Sequence, residues 1–184
     1  MRRTGAALAA LLILCALLVV VGCGSPGDDA GKQVKVAIEE LPTEAETTEM
    51  VDSIARLATH AGSASQEYHQ ELEKVKEQVE AFKKKGRKAR LEYEKVMEAG
   101  AGTDYEKLAR IETENIDTTV EWLDSAMSFI EDLAVAVNAS GGRLDEETDA
   151  EMKSAFDRSN ELLDKKSEMR VEADELMKSM GLNI

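Results

Sequence analysis

Tyr68, Leu72, Val75, Val79, Phe82, Gly86, Ala89, Tyr93 and Val96 follow one another at intervals of four and three residues. An α-helix turns once in 3.6 residues, so this spacing lays the whole set along one narrow seam. A strand would send successive side chains to opposite faces and has no use for such a pattern. The seam needs facing helices to cover it. Both prolines, Pro26 and Pro42, precede it, and aromatic residues make up only 4% of the chain. Beyond residue 43 the sequence is rich in Ala, Glu, Lys, Leu and Met, which favour long helices.

Three long helices are expected. Helix 1 starts at Thr43, where Thr43 and Glu46 form a T-x-x-E capping box directly after Pro42. It carries Met50, Ile54, Leu57 and Ala61, then the seam above, and stops at Gly100 in the loop "AGAG". Helix 2 begins at Thr103, boxed by Glu106. One of its stripes is Ile116, Val120, Leu123, Met127, Ile130, Ala134 and Val137, and a second runs from Trp122 through Ala126, Phe129 and Leu133 to Ala136. Two adjoining stripes predict the most buried helix. Helix 3 runs from Asp145 to Met180 with a seam at Met152, Ala155, Ser159, Leu162, Lys166, Met169, Ala173, Leu176 and Met180. Gly181 and Leu182 fit a Schellman stop. Short loops make neighbours antiparallel, so the fold class is an all-α antiparallel bundle of three long, coiled-coil-like helices.

Residues 44–61 overhang the other two helices and have an apolar stripe of their own. Either they continue helix 1, or they fold back near Gly62-Ser63 as a fourth helix, with Ser63 and Gln66 boxing the restart. Fold-back is slightly favoured.

The N-terminus has a different character. Met1-Arg2-Arg3 is followed by the run 6–21, "AALAALLILCALLVVV", and then by Gly22 and Cys23. A basic start, a short apolar stretch and small residues at its end describe an export signal. The run is shorter than the roughly 20 residues that a membrane-spanning helix needs. "VVGC", Val20 to Cys23, resembles the lipobox of bacterial lipoproteins. The resemblance covers residues 1–23. It implies cleavage between Gly22 and Cys23 and acylation of Cys23 with palmitate-type chains. It also implies a lipid-anchored location on the extracytoplasmic side of the cell membrane or outer membrane. Each buried CH₂ is worth about 0.8 kcal/mol, so two chains hold a soluble domain stably. The expected division is a signal peptide at 1–22, a flexible tether at 23–43 and a helical domain at 44–184. "VKVAI" at 34–38 is assigned to the tether.

Cys15 and Cys23 are the only cysteines. One leaves with the signal and the other carries lipid, so no disulfide is expected. With Arg2 and Arg3 removed, 21 basic side chains face 37 acidic ones, a charge of −16. Such a body excludes nucleic acid as a partner and disfavours lying flat on an anionic membrane.

Signals for chemistry are sparse. "GDDAGK" at 27–32 lacks the glycine spacing and hydroxyl residue of a phosphate loop. His60 and His69, nine residues apart on one helix, would face roughly opposite ways, and no metal or other cofactor is expected. No acid/base dyad or nucleophile motif stands out, so the chain does not read as an enzyme. "NAS" at 138–140 reads as a helix stop. Trp122, Met169, Met177 and Met180 read as core. The basic run "KKKGRKAR" at 83–90 is expected to lace against Glu112, Glu114, Asp117 and Glu121 of helix 2. Matching turn to turn, Asn115, Lys166 and Glu112 fall at one level, beside the small residues Gly86 and Ala89. They predict a polar layer, read first as a register device and second as a small ligand cavity. The leading functional expectation is a structural or protein-interaction module of the cell envelope, with an envelope protein as partner. The alternative is a ligand-binding bundle of the sensor or accessory-binding kind.

Overall fold

The computed structural model describes residues 27–60, 65–140 and 146–182. They form five helices: α1 Gly27–Glu40, α2 Glu44–His60, α3 Gln66–Ala99, α4 Asp104–Ser140 and α5 Glu146–Ser179. Among the described residues every regular element is helical. The three long helices are α3, α4 and α5, as the heptad spacing predicts. α4 packs between α3 and α5 and also touches α1 and α2, so it is the centre of the bundle.

The fourth column is built from two short helices in tandem. α1 covers the half of α3 nearest its C-terminus, and α2 covers the half nearest its N-terminus. The core divides accordingly. The upper cluster joins Met50, Ile54 and Leu57 of α2 to Tyr68, Leu72, Val75 and Val79 of α3 and Leu123, Met127 and Ile130 of α4. The lower cluster joins Val34 and Ala37 of α1 to Ala89, Tyr93 and Val96 of α3, Leu108 and Ile116 of α4, and Ala173 and Met177 of α5.

The fold-back reading is therefore the correct one. Gln78 of α3 donates to Glu49 of α2 at 3.3 Å, and Arg56 pairs with Glu71 at 3.5 Å, which fixes an antiparallel register. The restart is not the expected Ser63–Gln66 box. Ser65 is the N-cap, its Oγ accepting from the Tyr68 amide at 3.1 Å. Gly62 and Ser63 lie outside the described residues.

The flexible tether expected over 23–43 is corrected from residue 27 onward, because Gly27–Glu40 is a helix. Its physical cause is a stripe at Ala30, Val34, Ala37, Ile38 and Leu41, spaced by four, three, one and three. Ala30, Val34 and Ala37 are at most 1% exposed. A short bend at Leu41–Pro42 then separates α1 from α2, since Pro42 lacks the amide that a continuous helix would need. Among the described residues the packed region thus includes 27–40 and does not start at 44.

Other local signals fare well. The Thr43 box closes in both directions: the Glu46 amide donates to Thr43 Oγ1 at 3.2 Å, and the Thr43 amide to Glu46 Oε2 at 2.9 Å. Gly100 ends α3, its amide donating to the Val96 carbonyl at 2.8 Å. At α4 the box is displaced by one residue. Glu106 accepts from the Gly102 amide at 2.7 Å, while Thr103 Oγ1 accepts from the Tyr105 amide at 3.2 Å. At the end of α5, the Leu182 amide donates to the Met177 carbonyl at 2.9 Å and the Gly181 amide to that of Lys178 at 3.2 Å. With Gly181 at φ +70° this is the expected Schellman motif.

Candidate functional site

The sequence places three polar residues at one level of the bundle, and the structure brings them together in the lower half. Glu112 of α4 is the most buried charged side chain described, only 3% exposed. Asn115, one turn along, donates its amide to Glu112 Oε2 at 3.3 Å. Arg170 of α5 stands 4.0 Å from Glu112 Oε1 and holds Asp174 at 2.8 Å. Lys166, one turn earlier on α5, is half-buried and interacts electrostatically with Glu112 and Arg170. Tyr93 of α3 borders the layer from the other side and is buried.

Burial governs the electrostatics here. Loss of solvent raises the Glu112 carboxyl above its ordinary value, against the opposing pull of Arg170 and of the Asn115 amide. Burial likewise lowers the Lys166 ammonium to about 8, helped by repulsion from Arg170 and resisted by Glu112. The Tyr93 phenol is driven well above its normal range by burial first and by Glu112 second. Glu112, Lys166, Arg170 and Asp174 carry two charges of each sign. The layer is thus close to neutral, as a buried group of charges must be to persist.

Asn115 and Lys166 were legible as polar residues at seam positions. Arg170 and Asp174 were missed, because they flank the apolar seam of α5 and look like surface residues in sequence. Their signal was the i,i+4 spacing from Lys166 to Arg170 and from Arg170 to Asp174, which stacks all three on one face.

The basic run 83–90 is laced as expected, but mostly to other partners. Arg90 pairs with Asp117 at 3.1 Å, which is the one expected contact. Lys83, buried although charged, donates to Glu80 and Asp124 at 2.7 Å each. Its partners, Asp124 foremost, raise its pKa. Lys85 pairs with Glu46 of α2, and Lys88 with Glu40 of α1 at 3.5 Å. Glu112, Glu114 and Glu121 turn instead to α5, meeting Arg170, Lys165 and Arg158. The difference follows from the split fourth column. The run sits where α1 hands over to α2, so it clamps both ends of that corner to α3. Gly86 in its middle lets α4 come close, since a Cβ there would stand 3.3 Å from Ile116 Cγ2.

The histidines lie on two helices and not on one. His60 ends α2, with Nδ1 3.8 Å from Glu71, and His69 packs its ring edge-on to Tyr68 at 5.7 Å. Among the described residues no group of three His, Cys, Asp or Glu is placed to hold a metal ion. Trp122 is half-buried against the upper cluster, and Met169 and Met177 are buried. A shallow open depression runs beside Lys153, Asp157, Arg158 and Glu161, lined by α5 alone. Among the described residues no helix is long and apolar enough to cross a membrane. Gly22 and Cys23 lie outside the described residues. Comparison with family models, curated proteins and solved structures finds no match.

Proposed function

We propose that this protein is a lipid-anchored helical bundle of the bacterial cell envelope, held on the extracytoplasmic side through Cys23 and acting as a structural or protein-interaction module. The observation that carries the reading is the N-terminal sequence: a basic start, an apolar run at 6–21 and Val20-Val21-Gly22-Cys23. The helical body suits such a role. Its interior is packed, and Glu112 is tied to Asn115 and Arg170, and Arg170 to Asp174, as in a register device. Its outer surface is strongly acidic and laced by exposed ion pairs, each worth about 0–1 kcal/mol. A chain of this kind keeps a rigid shape and presents it to a neighbour.

Acylation is tested by mass spectrometry of the protein purified from membranes. The wild type should carry acyl chains on Cys23, and Cys23→Ser should leave an uncleaved precursor. An unmodified Cys23 in the wild type refutes the anchor. The module role is tested by crosslinking intact envelopes, where a defined envelope protein should be captured by the wild type and not by the Cys23→Ser precursor.

A second reading, a bundle that binds a small ligand, has one observation in its favour. Asn115 Oδ1, in the polar layer, is buried and accepts no hydrogen bond. An orphaned acceptor of this kind suits a ligand that donates hydrogen bonds. Under that reading Asn115→Leu combined with Lys166→Leu yields a well-packed protein that has lost its envelope function. Under the interaction reading function survives.

A further inference from the structure

The position of α1 bears on how an anchored molecule would stand. α1 runs antiparallel to α3: Gln33 donates to Glu92, and Glu40, seven residues later, meets Lys88 nearer the middle of α3. Its first turn therefore lies at the end of the bundle that carries the Gly100–Thr103 turn. Gly31 agrees with this placement, since a Cβ on it would stand 3.2 Å from Tyr105 Oη at the start of α4. The C-terminal end of α5 lies at this same end, with Met177 and Leu182 in the lower cluster. α1 is fixed there by Ala30, Val34 and Ala37, each at most 1% exposed.

Cys23 precedes Gly27 by four residues. Four fully extended residues reach at most about 14 Å. A free tether running to residue 43 would instead wander by about 25 Å and leave the orientation open. α3, with 34 residues, is about 51 Å long. The link is thus short against the body it holds.

Resting on the lipid-anchor reading above, we propose that the bundle stands end-on to its membrane. The Gly100–Thr103 turn lies against the lipid headgroups, and the opposite end, where α2 stops and α3 starts, projects about 50 Å outward. Charge favours this posture over a flat one. A side-on bundle would press its long acidic flank towards the bilayer, at a net charge of −16 for the whole chain after Cys23. The end near the turn is small, and three of its charge pairs are closed locally. Lys107 meets Asp104 at 3.0 Å, Arg110 meets Glu106 at 2.6 Å and Lys32 meets Asp29 at 3.2 Å. It follows that the envelope partner meets the upper half of the bundle, or its flanks, well away from the headgroups.

The cysteine content makes the test direct. With Cys15 removed and Cys23 acylated, Lys107→Cys and Asn138→Cys each supply a unique thiol. Both positions are at least partly exposed, and they lie about 47 Å apart along α4. Each full-length, acylated variant is labelled with a fluorophore and reconstituted into phosphatidylcholine vesicles that contain anionic phosphatidylglycerol and carry a quencher on the lipid headgroup. The label at 107 should lose most of its emission and the label at 138 almost none. Equal quenching, or stronger quenching at 138, overturns the end-on posture even though the vesicle-bound, acylated protein upholds the anchor. Failure of both proteins to bind vesicles, with no acyl mass on Cys23, removes the anchor reading and the posture together. Insertion of about twenty Gly/Ser residues between Pro26 and Gly27 should return the 107 signal towards that at 138. Undiminished quenching after the insertion overturns the short link as its cause.

Discussion

Replacing Lys166 by Met removes one cation from the polar layer and leaves Arg170 beside Glu112. Lys166 titrates near 8 in the folded chain, against 10.5 for an ordinary lysine, chiefly because it is buried. A depressed value means that folding prefers the neutral amine. The penalty for the charged form is complete below pH 8, fades between 8 and 10.5, and is absent above. The gap corresponds to roughly 3 kcal/mol at 1.36 kcal/mol per tenfold change in acidity. Lys166 is only half-buried, and solvent screening reduces this to about 1–3 kcal/mol. The quantity to measure is the stability difference between Lys166→Met and the wild type, from urea unfolding of the unacylated chain followed by far-ultraviolet circular dichroism. Packing changes caused by the methionine do not vary with pH and cancel in the comparison across pH. The variant's advantage should shrink by about 1–3 kcal/mol as pH rises from 7 to 10.5. An advantage that stays constant or grows over this window refutes the reading of Lys166 as a buried cation.

The tandem fourth column makes two further outcomes testable. Val34→Asp puts a charge where the side chain is 1% exposed, so α1 should detach. Hydrogen exchange should then show lost protection over 30–40 and retained protection over 66–99; weak protection of 30–40 already in the wild type refutes a docked α1. Spin labels at positions 47 and 80 should lie close together, because Glu49 and Gln78 are hydrogen-bonded at 3.3 Å. A separation near about 50 Å, that of one continuous helix, refutes the fold-back.

The sequence by itself determined the helices that carry long seams. Tyr68 to Val96 is a heptad run, and Lys83, the charged residue buried beside it, is satisfied by Glu80 and Asp124. The Thr43 box, the Gly100 stop and the Gly181 motif were equally legible, since each depends on contacts within five residues. Asn115, Lys166 and Glu112 could be placed at one level because two short loops fix the register of three helices. α1 was harder to read. Its stripe is only about three turns long, has Gly31 inside it and is preceded by Pro26 and Gly27, so isolated it is marginal as a helix. Burial of Ala30, Val34 and Ala37 against α3 and α4 supplies what local propensity lacks. The same holds for Arg170 and Asp174, which look like surface residues until α5 lies down beside α4. It holds for the basic run, too. Its charge predicted ion pairs, but only the corner between α1 and α2 decided that Glu40 and Glu46, and not Glu112 and Glu121, would supply them. Periodicity and capping act over one or two turns and are written in the chain. Partner choice between helices depends on which faces meet, and that is settled only when the bundle closes.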